Sequence, residues 1–198
     1  VLIGINKAID LAEENFQGLV IGNQASNFSA GANLASILMA AAEQEYDAID
    51  YSIVKFQETT MRLRYSNIPT IASVQGMSLA GGCEILMHCD KTIANSETYT
   101  GLVEVGVGLI PSGGGTKEIT LRASNKYNKN DVELNILQEY FLTIGMAKVS
   151  TSAYEAYGLG IFEKGNDLIV MNNKSQIAIA KSHAKIMAES GYTPPLRE

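Results

Sequence analysis

Apolar and polar positions alternate along this chain with two different periods, and the periods themselves alternate. Ile3, Ile5, Ala8, Ile9 and Ala12 fall on one face of a helix ending near Asn15. Gly18 to Gly22 is a short continuous apolar run, the pattern of a strand buried on both faces. Asn23 to Ser29 is polar loop chemistry, and the small residues that follow lead into a helix over 35–45. Asp47 is expected to cap the next helix. That helix carries Ile49, Ile53, Phe56, Thr60 and Leu63 on one side, as a helix lying on a sheet would. Pro69 closes it, and Thr70 to Val74 is β-branched and small, which predicts a strand.

The stretch from Ser73 to Asp90 organises the rest. Gly76, Gly81 and Gly82 predict a sharp turn after the strand, and helix formers run on from Cys83. A helix that starts at a glycine pair leaves its first N–H groups free, with the positive end of its dipole beside them, and so suits a developing negative charge. Glu84 sits in that first turn. Beyond it, 91–95 reads as a strand, and Pro111 to Thr116 as a glycine turn opening a helix through Arg122. Residues 123–131 read as loop, 134–144 as helix, and Ser152 with Glu155 as a capping box stopped by Gly158. Ile161-Phe162 and 168–171 flank Gly165 like a small hairpin. Asn173 with Gln176 is expected to cap a last helix ended by Gly191. Strands alternating with helices give an α/β class.

Composition narrows the function. The 198 residues suffice for one domain, and a net charge of −6 without a basic stripe argues against nucleic acid. Two cysteines, Cys83 and Cys89, fit small core positions in a reducing, cytoplasmic compartment. No apolar run reaches the roughly 18 residues a membrane span needs. Val1 opens inside a helical pattern, and the Thr193-Pro-Pro-Leu-Arg-Glu198 ending resembles a linker, so the chain reads as a piece excised from a longer protein.

The candidate chemistry is carboxylate chemistry. Glu84 and Glu104 each stand among apolar neighbours near a glycine turn. Two carboxylates facing one cavity raise each other's pKa, so that one can act as acid and the other as base. Other chemistries fit less well. His88 is expected to be packed and His183 solvated. Cys83, His88 and Cys89 lack zinc spacing and a fourth ligand, so no metal site is expected. Gly76-Met-Ser78-Leu-Ala80 misses the last glycine of a nucleophile elbow. Gly106 to Pro111 and Gly115 to Lys117 fail the dinucleotide and Walker patterns, so neither NAD nor ATP is expected to bind in those ways.

Three segments together carry a resemblance: Phe28-Ser-Ala-Gly-Ala-Asn-Leu34, Gln75-Gly-Met-Ser-Leu-Ala-Gly-Gly-Cys-Glu84, and Glu104 followed by Gly108-Leu-Ile-Pro-Ser-Gly-Gly-Gly-Thr116. In this order and spacing they resemble the enoyl-CoA hydratase (crotonase) family, over about Gly18 to Arg122. The resemblance implies a spiral of ββα units with a C-terminal helical region. Residues 1–122 would be the core, its first strands apparently cut away, and 123–198 a C-terminal helical or lid region of the same domain. It implies backbone oxyanion donors at Ala32 and Gly81, catalytic Glu84 and Glu104, and coenzyme A contacts at Ala30, Asn33 and Leu34.

The implied reaction is hydration of a trans-2-enoyl-CoA to a 3-hydroxyacyl-CoA in fatty-acid β-oxidation, without metal or organic cofactor. A Δ3,Δ2-enoyl-CoA isomerase, or a non-catalytic acyl-CoA-binding domain, are the alternatives. Family members assemble as trimers or paired trimers, so a homo-oligomer is expected. The ending and the polar insertion 124–131 further resemble the hydratase part of a bifunctional protein with an NAD-dependent 3-hydroxyacyl-CoA dehydrogenase module. Three positions depart from the family pattern: Ala35 where a lysine is frequent, Ala80 for a glycine, and Val103 for a proline.

Overall fold

The computed structural model describes residues 1–197; Glu198, the end of the linker-like stretch, lies outside the described residues. Four strands form one parallel sheet in the order β1-β2-β3-β4: β1 (Leu19–Gly22), β2 (Thr70–Leu79), β3 (Lys91–Gly101) and β4 (Leu168–Val170). The helices are α1 (Leu2–Asn15), α2 (Leu34–Ala42), α3 (Tyr46–Arg64), α4 (Gly81–His88), α5 (Gly115–Ser124), α6 (Glu133–Gly145), α7 (Glu155–Gly158) and α8 (Gln176–Glu189). The α/β class and the C-terminal helix follow the sequence pattern.

Both faces of the sheet are covered, which is why its strands read as apolar runs. Alternate residues of β2 enter different cores, as a strand's two-residue period requires. Ala72 and Val74 join Ile9, Leu63, Leu86 and Met87 on one side. Ile71 joins Ile93, Val170, Ala180 and Ala184 beneath α8 on the other. Each fully buried Ile or Leu contributes roughly 1.5–3 kcal/mol. Segments on both sides of residue 122 thus build the same sheet, since β4 pairs with β3 and α8 packs on β1, β2 and β3.

Several local expectations need correction. Strands β2 and β3 do not stop at Val74 and Asn95; they continue to Leu79 and Gly101. Gly76 is not a chain reversal. It lies at a register shift where Val74 opposes Ala94 but Gly76 already opposes Thr98. The extra residues of β3 are absorbed by local bonds: Glu97 N–H donates to Asn95 Oδ1, and Thr98 Oγ1 donates to Asn95 O. The bend carries the second halves of both strands into a new direction, toward the candidate site.

Asp47 is not the cap of α3. Glu45 holds the cap position, without a side-chain bond, and Asp47 lies in the first turn. Ile161 and Phe162 form no hairpin; both are buried, and both N–H groups donate to Ala156 O at the end of α7, leaving β4 to pair with β3. Asn173 does not cap α8: Ser175 holds that position without a side-chain bond, and Asn172 caps the short 3-10 turn Asn173–Ser175 before it, accepting from Lys174 N–H. Gln176 is instead buried, its amide donating to Val74 O and Ile93 O across the β2–β3 bend.

Candidate active site

The first small-residue turn is stitched to the far half of β2. Phe28 N–H donates to Gln75 O, Ser29 N–H to Met77 O, and Leu79 N–H to Ser29 O. Gly31, at φ +94°, is the residue that lets the two turns meet. A Cβ there would stand 2.9 Å from Ala80 Cβ and 3.9 Å from the Gly81 nitrogen. Ala32 and Gly81, the two residues implied as oxyanion donors, therefore belong to adjoining turns. Among the described hydrogen bonds, no protein acceptor takes the N–H of either. Ala80 holds φ +50° and ψ −123° just before α4, a conformation that favours glycine.

Glu84 lies one turn into α4 and is 1% exposed. Its Oε1 accepts a hydrogen bond of 2.8 Å from Gly115 N–H at the start of α5. Burial pushes its carboxyl up to about 7, and the charge of Glu104 adds to the push, while the Gly115 and Gly113 N–H groups oppose it. Glu104 begins a 3-10 turn, Glu104–Val107, directly after β3. It is half-buried, its Oε2 has no partner among the described residues, and burial raises its pKa too. The two carboxylates thus follow consecutive strands of the sheet, β2 and β3, and the charge of Glu104 acts on Glu84.

The loop Pro111 to Gly115 is the third wall, and α3 clamps it. Gln57 Nε2 donates to Ser112 O at 2.8 Å and Thr60 Oγ1 to Gly113 O at 2.7 Å. The glycines are needed because the loop passes over side chains of α3 and α4. A Cβ at Gly113 would be 2.7 Å from Glu84 Oε2, and one at Gly114 2.7 Å from His88 Nε2. His88 is buried; its Nδ1 lies 2.7 Å from Glu84 O, and burial lowers its pKa to about 4. The ring is therefore neutral near pH 7, and with a carbonyl as partner its Nδ1 carries the proton. Its Nε2 lies 3.6 Å from Glu118, whose charge is met by Arg64 and Lys117.

Of the implied coenzyme A contacts, Ala30, Asn33 and Leu34 flank Ala32 on exposed chain. Asn33 caps α2, its Oδ1 accepting from Ala35 N–H. Sequence reasoning missed Phe56, Gln57 and Thr60; the helical spacing marks Phe56 and Thr60 only as part of a packed face and does not mark Gln57. A groove of about 1150 Å³ between α1 and α3 is lined by the opposite face of α3 and holds neither Glu84 nor Glu104. Among the described residues no helix is long and apolar enough to cross a membrane.

Residues 4–130 match the model of the family described as enoyl-CoA hydratase/isomerase. A probable 3-hydroxyacyl-CoA dehydrogenase of Bacillus subtilis is 43% identical over 98% of this chain, which spans 24% of that protein. A crotonyl-CoA hydratase of Syntrophomonas wolfei is 35% identical over 51% of this chain and 37% of its own length. The chain thus spans well under half of these relatives. Among solved structures, an enoyl-CoA hydratase from Polaromonas superposes with a TM-score of 0.76 at 20% identity, over 95% of this chain and 66% of that one. With the family model covering more than half of its residues, the chain belongs to the enoyl-CoA hydratase/isomerase family.

Proposed function

We propose that this chain hydrates trans-2-enoyl-CoA thioesters to 3-hydroxyacyl-CoA, as the hydratase part of a larger β-oxidation protein. The observation that carries the reading is Glu84: a carboxylate buried in the first turn of α4, pushed up to about 7, three residues from the unclaimed N–H of Gly81. The thioester oxygen accepts from Ala32 and Gly81. As water adds to the β-carbon, the π electrons move toward that oxygen, and each such donor is worth about 10²–10³ in rate. Glu84 takes the proton from the attacking water, and Glu104 gives its own to the α-carbon. Burial raises the pKa of Glu104 as well. Proton exchange with solvent then resets both groups. The groups named need no metal or organic cofactor.

Backbone around Ala30, Asn33 and Leu34 would hold the coenzyme A moiety. NAD enters only with an attached dehydrogenase module, a link supported by the name of the Bacillus subtilis relative and by how little of it this chain spans. A homo-oligomer, trimer or hexamer, is supported by apolar side chains left open on α6, among them Leu134, Leu137 and Phe141.

The test is hydration of crotonyl-CoA, followed by loss of enoyl-thioester absorbance, with the intact protein and its Glu84→Gln and Glu104→Gln variants. Each variant should lose roughly 10²–10⁴ in kcat. Wild-type rates in both would refute the assignment. A conjugated product formed from a 3-enoyl-CoA, with no hydration, would make the chain an isomerase instead.

A further inference from the structure

Helix α3 brings one large apolar side chain to the reacting groups, and nothing in the hydratase chemistry uses it. Phe56 is half-buried, with its ring edge against two backbone positions of the site. A Cβ at Gly81 would stand 3.0 Å from both Cε1 and Cζ of the ring. A Cβ at Gly113 would stand 2.6 Å from ring Cδ1 and 2.7 Å from Glu84 Oε2. The aromatic edge, the Gly81 turn and the Glu84 carboxylate therefore converge within the width of one side chain. The ring is also held in place. Gln57 and Thr60, the next residue and the next turn, fix α3 to the loop by bonds to Ser112 O and Gly113 O.

We propose that Phe56 is a specificity-determining residue, whose ring walls the acyl end of the site and selects linear over branched chains at the reacting carbons. The inference rests on the hydratase reading. A thioester oxygen held on Gly81 N–H sets the α- and β-carbons between that turn and Glu84, beside the ring. A conjugated enoyl thioester is flat, and an α- or β-methyl branch lies in that plane and widens it, so the ring edge at its margin admits the linear chain and would strike the branch.

The test compares kcat/KM for crotonyl-CoA and for its 2-methyl-branched analogue tiglyl-CoA in the intact protein, with Phe56→Ala and Phe56→Leu variants. Phe56→Ala should raise the branched-to-linear ratio at least about tenfold, within the range one methylene is worth in an apolar pocket. Phe56→Leu should fall between Ala and wild type and guards against a folding defect. A merely structural role would lower both substrates by one factor, and an unchanged ratio overturns the proposal. Calorimetric affinities for butyryl-CoA and 2-methylbutyryl-CoA read the same selectivity without turnover. Selective binding that shifts with Phe56, but no hydration, would sink the hydratase reading alone. No affinity for either thioester would sink both.

Discussion

Replacing Gly113 with alanine should cost activity beyond what its loss of stability accounts for. The backbone of Gly113 needs no left-handed conformation, so the added methyl acts by bulk alone. It would lie 2.7 Å from Glu84 Oε2 and 2.6 Å from Phe56 Cδ1, where ordinary contact begins near 3.4 Å. Neither neighbour can retreat freely. Glu84 is anchored by Gly115 N–H, and Phe56 lies on a helix bonded to the same loop. The carboxylate or the loop must shift by the better part of an ångström. Overpacking of this size costs about 1–3 kcal/mol, while a misplacement near 1 Å at a reacting group costs about 10²-fold in rate. Gly165→Ala is the control. It has φ +86° and nothing within 4 Å of the new methyl, so it carries only backbone strain of about 1–2 kcal/mol, far from the site. Urea unfolding and crotonyl-CoA hydration on the two variants separate the effects. Gly113→Ala should lose about 10² in kcat, and Gly165→Ala none. Wild-type kcat in Gly113→Ala would refute the view that this loop sets the position of the reacting carboxylate.

Two further outcomes follow from the same geometry. The pKa of Glu84 is raised from the ordinary 4.5 to about 7 in the folded protein. Below 4.5 it is protonated in both states, whereas above that the unfolded chain releases a proton the folded one keeps. Stability should therefore decline as pH rises from 4.5 to 7, by about 3 kcal/mol from this group. Glu84→Gln removes that slope, so the stability gap between variant and wild type should shift by about 3 kcal/mol between pH 4.5 and 7.5 in urea titrations; a constant gap contradicts the burial argument. Hydration should rise through the same window as Glu84 becomes the base. Ala80→Gly should relieve the strained turn before α4, and, after the greater entropy of glycine in the unfolded chain, raise stability by about 0.5–1 kcal/mol; a loss would mean that Ala80 Cβ packs favourably against Gly31.

What could be read from the sequence is what local chemistry dictates. A carboxylate in the first turn after a glycine pair is visible in eight consecutive letters, because the helix start, the free N–H groups and the acid are neighbours in the chain. The same holds for Gly18 to Gly22, whose unbroken apolar run reflects a strand covered by α1 and α8. Gly76 shows where this stops. Glycine after glutamine looks like turn chemistry, yet the chain there bends without reversing. Its positive φ of +56° and the passing Ser26 carbonyl, which leaves no room for a Cβ, are the reasons for glycine. Both belong to the fold and neither to the local letters.

Phe56 and the triplet Gly113 to Gly115 make the same point at the site. Their spacing in sequence says only "helix face" and "loop". Their meaning comes from three segments meeting: α3 bonded to Ser112 O and Gly113 O, α4 presenting Glu84 and His88, and the loop threading between them with no room for side chains. A buried carboxylate costs free energy unless something holds it. Here the holder is the Gly115 N–H at the start of another helix, 31 residues further on. The second glutamate has no such holder, since Glu104 Oε2 is buried without a partner among the described residues. That asymmetry is consistent with the roles proposed for the pair. The carboxylate held by Gly115 N–H is the one proposed to orient a water, and Glu104, whose pKa burial also raises, is the one proposed to deliver a proton to carbon.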